Sequence, residues 1–342
     1  MRSRAFAFLK PHAMVSQAVV DAVADRFAEA GVAVARKERL PAASLAERYD
    51  RHAGPAARAA LASDPAALFG DDARARFADA FEEDLPAVAA AGRLLSPFAA
   101  MDRLVLDPDG LLRAWIARGA EDFGGGLYAA RLEPEGLRHG GRCDCGHEHH
   151  AHEHHDCDCG HERHDCDCGH HRAHGEVPCH AASGPDPVFV VNGFYPAERA
   201  PYADPAGPGV LAMLLDFELP WSDFNDVVIG DENPAGALEE SIRGYLYDRR
   251  DALAMRIDRF DNVLHASRSA FDALCETLLW LGPAAARGDP LLALLRADAR
   301  LPRRGLSAAL LRLRDEGALA PALAGLDAAA CAPLVAAALL AR

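Results

Sequence analysis

The stretch Asp261-Asn-Val-Leu-His-Ala-Ser-Arg-Ser269 puts a histidine at the end of a strand-like run, ahead of small residues and a new helix. A ring in that position is exposed yet rigidly framed. Glu276 follows His265 by eleven residues, on the second turn of the helix, from where it can reach back to one ring nitrogen. A carboxylate on one nitrogen fixes the tautomer and raises the basicity of the other, as a nucleophilic imidazole requires. Most histidines are structural or surface residues, so the pair alone is thin ground for catalysis.

Three further features point the same way. Phe8-Leu9-Lys10-Pro11-His12 places a lysine at the end of a first strand, where its ammonium can meet phosphate oxygens. Gly230-Asp-Glu-Asn-Pro-Ala235, followed by Ser241-Ile-Arg-Gly244, supplies a turn-rich loop and an arginine, Arg243. Asn262 can donate a hydrogen bond to a ribose or a phosphate. Phosphoryl transfer needs little covalent chemistry beyond its nucleophile, so cations placed around the moving oxygens carry most of the catalysis.

A second chemistry is written between His139 and His180, which hold thirteen of the sixteen histidines and seven of the nine cysteines. Cys-Asp-Cys-Gly-His occurs there three times, offering Cys143, Cys145 and His147, then Cys157, Cys159 and His161, then Cys166, Cys168 and His170. Two soft sulfurs beside an imidazole suit Zn²⁺, copper or nickel. The close cysteine spacing favours adaptable binding of several transition-metal ions over one rigid tetrahedral site. A solvated low-complexity loop with no ligand role is the plainer alternative. With no apolar face, the segment is expected to be disordered without metal.

The elements that must position these residues can be read from periodicity. Residues 4–10 read as a strand and 12–30 as a helix, with Val15, Val19, Val23 and Phe27 at one-turn spacing and Gly31 as the stop. Strands are expected over 32–40, 210–217 and 260–266, with Val188–Val191 as another, and a helix over Ala43–His52. Ser269 and Asp272 form a capping-box-like start to a helix that buries Phe271, Leu274, Leu278 and Leu281. Residues 54–131 look mostly helical, and 286–341 read as two or three helices without functional signal.

Net charge is -15, half the residues are hydrophobic and a quarter are charged. That charge repels nucleic-acid backbones and anionic membranes, so neither is expected as a partner, and a nucleotide would need a local pocket. Ala5-Phe6-Ala7-Phe8-Leu9 is too short for a signal core and no apolar run is long enough to cross a bilayer. A soluble, cytoplasmic protein is expected. Crowded cysteines in a reducing compartment favour metal ligation over disulfides.

Taken in order, Lys10-Pro11, the Gly-x-x-Asn-Pro-Ala loop leading to Ile242-Arg243-Gly244, and Asn262-x-x-His265-x-Ser267 with Glu276 behind it resemble the nucleoside diphosphate kinases. The resemblance covers about 1–53 and 209–281. Phe189-Val-Val-Asn-Gly-Phe-Tyr195, with the Gly-Gly-Gly-Leu-Tyr run before it, is similar to a longer, insert-containing subgroup. The resemblance implies His265 as the phosphorylated nucleophile, Glu276 as its orienting carboxylate and Ser267 as support. It implies that Lys10 and Arg243 clamp phosphates, that Asn262 contacts sugar and phosphates, and that Tyr49 lies near where the phosphates arrive. Mg²⁺ would come with the NTP or NDP, and a homo-oligomer is possible.

The implied fold is α+β: a ferredoxin-like antiparallel four-stranded sheet with helices on one face. A kinase-like domain of residues 1–53 and 187–281 would be interrupted by a mostly helical insertion at 54–138 and the Cys/His-rich segment at 139–184. Residues 282–342 would form a helical C-terminal extension. Three departures weigh against full activity; one is a stretch between Arg243 and Asn262 longer than in the short enzymes, which can turn Arg243 away from the site. The family's second phosphate-binding arginine is replaced by Asp226, beside Asn225, and a phosphate-holding threonine by Glu232; both acids repel polyphosphate. The alternative function is therefore a metal-binding or metal-buffering protein on a weak or inactive kinase-like domain. A protein-interaction scaffold resting on 54–123 and 286–341 comes third.

Overall fold

The computed structural model describes residues 2–134, 186–258, 261–317 and 319–342. The expected metal ligands Cys143, Cys145, His147, Cys157, Cys159, His161, Cys166, Cys168 and His170 lie outside the described residues.

Strand β1 is Ser3–Leu9. Pro11 cannot donate to a strand ladder, and the chain leaves the sheet there in a 3-10 turn, Pro11–Val15. Ser16 is extended, so the helix expected over 12–30 is broken and α1 runs Gln17–Glu29. Val19, Val23 and Phe27 are buried, but Val15, on the wrong side of that break, is 74% exposed. After Gly31, whose φ of +70° suits a residue without a side chain, β2 covers Ala33–Leu40. Two more strands, β7 (Val210–Phe217) and β8 (Leu264–Ala266), complete a four-stranded sheet of order β2-β7-β1-β8. Every neighbouring pair in it is antiparallel. Most of β2 is exposed along this sheet edge.

Helices cover both faces of the sheet, not one as expected. On one face Ala5, Ala7 and Leu9 meet α1 together with Phe271, Leu274 and Leu278 of α10 (Ala270–Trp280). On the other, Phe6, Phe8, Ala212 and Leu214 meet Tyr49 of α2 (Ala46–Ala53) and Tyr195 and Tyr202 of α8 (Tyr195–Ala203). The sequence of β1 anticipates this, because its run Ala5–Leu9 is apolar at every position and so has two faces to bury. Ser269 caps α10, its hydroxyl oxygen accepting from the Asp272 amide at 3.1 Å.

A second sheet, of order β3-β6-β5-β4, joins Leu94–Leu95, Val188–Val191, Leu127–Leu132 and Glu121–Gly124. Residues 54–131 are therefore not simply helical, although α3 (Pro55–Leu61), α4 (Asp71–Phe81), α5 (Leu85–Ala90), α6 (Pro97–Leu104) and α7 (Pro108–Ala117) dominate them. Val188–Val191 pairs with Leu127–Leu132 and not with the main sheet. The alanines at 129 and 130 hid the alternation. From β6 the chain turns through Asn192, held at φ 46° by its own side chain, which accepts from Tyr128 N and donates to Ala56 O and Gly126 O. A Cβ on Gly193 would stand 2.4 Å from the Trp115 ring, so only glycine fits. This turn aims α8 back at the main sheet.

Ile242–Asp248 forms α9. The C-terminal region contains α11 (Pro290–Ala297), α12 (Leu306–Asp315), α13 (Ala320–Leu323) and α14 (Ala328–Leu340). Leu291, Leu295, Leu310 and Val335 pack into the same core as Phe271 and Leu274. Cys275 and Cys331 are buried free thiols. No helix among the described residues is long and apolar enough to cross a membrane.

Candidate functional site

His265 stands opposite Phe8 in the β1–β8 register and so points to the same face as Phe8 and Ala212, with its ring stacked on Phe8 at 4.9 Å. The side chain keeps 24% of its surface exposed. Behind it, α10 brings Glu276, almost fully buried, so that Oε1 lies 3.1 Å from His265 Nε2. Ser267 Oγ donates to Glu276 Oε2 at 2.5 Å, with Phe6 O at 2.9 Å as the other acceptor in reach, and Oγ itself accepts from the Phe6 amide of β1 at 3.2 Å. With Nε2–H given to the carboxylate, the lone pair of His265 sits on Nδ1. Burial alone would raise the Glu276 carboxyl; the charge and hydrogen bond of His265, helped by His52 and Arg314, hold it at about 2 instead.

A second imidazole completes this corner. His52, on α2, meets His265 edge-on with ring centroids 4.5 Å apart, and its Nδ1 is 3.8 Å from Glu276 Oε1. The Trp280 indole N–H donates to that Nδ1 at 3.3 Å, which identifies it as a deprotonated nitrogen. Burial, reinforced by His265, lowers the His52 pKa well below the ordinary range, against the pull of Glu276. The C-terminal helices take part after all: Arg314 of α12 donates to His52 O at 2.7 Å.

Lys10 directly follows β1. Its loss of solvent lowers its pKa to about 8; the carboxylates of Glu198, Asp261 and Asp258 resist this and Arg243 adds to it. Tyr49 is buried, stacks on Tyr202 at 4.1 Å and donates its hydroxyl to Glu198 Oε2 at 3.1 Å. Burial raises the Glu198 carboxyl, while Lys10 and the Tyr49 hydrogen bond hold it down. A carboxylate thus shares the neighbourhood that the sequence offered to phosphate.

Arg243 is placed differently from the expected clamp. It is buried, with Nε and Nη2 donating to Leu264 O at 3.3 and 3.0 Å and Nη1 to Gly230 O at 3.0 Å. It anchors the 230 loop to the strand carrying His265. Burial lowers its pKa to about 10. Asn262 donates from Nδ2 to Glu232 O at 3.1 Å, and its Oδ1 is buried without a hydrogen-bond partner. Asp226 and Glu232 are exposed, and the Glu232 carboxylate pairs with Arg268.

His265, Glu276 and Ser267 are therefore in direct contact; Lys10 and Tyr49 both act on Glu198, and Arg243 and Asn262 bind backbone carbonyls of the 230 loop. His52, Trp280 and Glu198 were missed. His52 lies three residues after Tyr49 on one helix face, and Tyr195, Glu198 and Tyr202 form an i, i+3, i+7 stripe, so both had a readable spacing. Nothing in the sequence says that α8 packs against Lys10.

No family model matches the chain, and no curated protein or solved structure matches it.

Proposed function

We propose that this chain is a phosphotransferase of the nucleoside diphosphate kinase kind, moving the terminal phosphate of an NTP to an NDP through phospho-His265 in the cytoplasm. The observation that carries the reading is the Ser267–Glu276–His265 relay, which directs the imidazole lone pair to Nδ1. The strand order β2-β7-β1-β8 supports it, being the arrangement of a ferredoxin-like sheet.

In the first half-reaction Nδ1 attacks the γ-phosphorus, the P–O bond to the β-phosphate breaks, and NDP leaves with the bridging oxygen. Nε2–H stays hydrogen-bonded to Glu276, whose negative charge offsets the cationic ring as the P–N bond forms. A second NDP then takes the phosphoryl group by the reverse path. Lys10, at the end of β1, would draw on its charge to meet the moving oxygens in competition with Glu198, and Mg²⁺ belongs to the nucleotide substrate. Tyr49 and Asn262 flank the nucleotide.

The placement of Arg243 on carbonyls and of Glu198 beside Lys10 favours a second reading: a metal-buffering protein whose kinase-like site is weak or silent. Incubating the protein with γ-labelled ATP and Mg²⁺ separates the two. Acid-labile, base-stable label that His265→Gln abolishes supports the transferase; absence of label at saturating Mg-ATP supports the second reading.

A further inference from the structure

The three side chains at the back of the site come from three different elements: His52 from α2, His265 from β8 and Glu276 from α10. One ligand atom from each lies within 4.8 Å of the other two. Among the described residues this is the cluster of histidine and carboxylate groups tight enough to hold an ion. Zn²⁺ bound at about 2.0–2.2 Å to nitrogen and oxygen, in tetrahedral geometry, requires its ligands to stand about 3.4 Å apart. The His265 Nε2–Oε1 and His52 Nδ1–Oε1 separations are 3.1 and 3.8 Å, on either side of that value. Small side-chain rotations would open one gap and close the other.

We propose that His52, His265 and Glu276 form a Zn²⁺ site, separate from the Cys/His-rich segment, with a fourth position open toward solvent on the exposed side of His265. Two imidazoles and one carboxylate prefer a borderline-soft transition ion to Mg²⁺, which takes oxygen ligands. Two neighbouring groups suit an ion. Ser267 holds Oε2 and leaves Oε1 for the metal, and the hydrogen bond from Trp280 marks His52 Nδ1 as unprotonated. Two features oppose binding: the metal must displace the Trp280 indole at 3.3 Å, and Lys10 and Arg314 are cations nearby.

Occupation would have a definite chemical consequence, which rests on the proposed transferase reading. A neutral imidazole has one N–H. With the metal on Nε2, that proton must move to Nδ1, so the lone pair needed to attack phosphorus is gone. Zn²⁺ would silence His265 by switching its tautomer and by removing Glu276 from it.

Crystals of the full chain grown with Zn²⁺, measured at the zinc absorption edge, test the site directly. An anomalous peak is expected bonded to all three side chains, lost in His52→Asn and retained in His52→Cys, which keeps a ligand and reports that the fold survives substitution. Absence of the peak at millimolar Zn²⁺, or its persistence in His52→Asn, overturns the proposal. In parallel, Zn²⁺ is expected to cut label transfer from ATP at least tenfold in the unsubstituted protein and to have no such effect in His52→Asn. Equal inhibition of both proteins overturns the tautomer switch. A chain that shows the peak but never takes label has kept the metal site and lost the transferase reading.

Discussion

Glu276 Oε1 lies 3.1 Å from His265 Nε2, so a nearly fully buried carboxylate decides which nitrogen of a partly exposed ring carries the proton. The arrangement has a direct kinetic consequence. In Glu276→Gln an amide replaces the carboxylate; it cannot offset a cationic ring, and its NH₂ can hold the imidazole in the opposite tautomer. The rate of His265 labelling by γ-labelled ATP is expected to fall about 100-fold, the scale seen when an orienting carboxylate is removed. Labelling at the unsubstituted rate would remove Glu276 from the mechanism.

The Lys10 pKa, lowered to about 8 by loss of solvent, gives a pH dependence with a definite sign. Below about 8 the ammonium is charged and can meet phosphate; above it the amine is neutral. Bound polyphosphate restores the charge, so binding takes up a proton between about 8 and the ordinary lysine value near 10.4. Across that window the dissociation constant for Mg-ADP is expected to rise by up to about tenfold per pH unit. In Lys10→Arg, charged throughout, calorimetric titrations should show a flat profile. An unsubstituted protein with no pH dependence from 7 to 10 would place Lys10 away from the phosphates.

The main sheet and the dyad were legible because each had a local signature. Lys10-Pro11 marks the end of β1, Ser269 and Asp272 mark the start of α10, and the eleven-residue interval from His265 to Glu276 spans one strand end and two helical turns. What was illegible depended on distant contacts. Glu198 reaches Lys10 because Asn192 and Gly193 turn α8 back across the sheet, and the partner that forces glycine there is Trp115. The second sheet hid in alanine-rich strands, and the two-sided burial of β1 overrode a one-layer reading. Arg243 kept its type and place in the motif, yet its direction follows from which carbonyls lie within reach.

That direction is itself testable. Arg243 bridges Gly230 O and Leu264 O from a buried position, and a lysine, with a single nitrogen, cannot span both. Arg243→Lys is expected to lower stability by about 1–3 kcal/mol in urea unfolding, since at least one buried carbonyl loses its donor. Because Leu264 precedes His265 in β8, labelling should also slow in the folded fraction. Unchanged stability with weaker nucleotide binding would restore Arg243 to the role of phosphate clamp.

Glu198 is the residue most at odds with a phosphate site. Its carboxylate accepts from Tyr49 and acts on Lys10, so it competes for the cation that a nucleotide needs. Burial raises its pKa, showing that the charged form is held there at a cost, offset chiefly by Lys10. Glu198→Gln keeps an acceptor for Tyr49 while removing the charge. Mg-ADP affinity at pH 7 is expected to improve about tenfold, or about 1.4 kcal/mol, as the like charge beside the polyphosphate disappears. The Lys10 titration should also move, because a neighbouring anion that favoured the ammonium is gone and its pKa falls further below 8. Calorimetry at pH 7 and again at pH 8.5 separates the two effects: the gain is expected to be large at the lower pH and smaller at the higher one. Weaker binding at both would mean that Glu198 helps to build the nucleotide site and does not guard it.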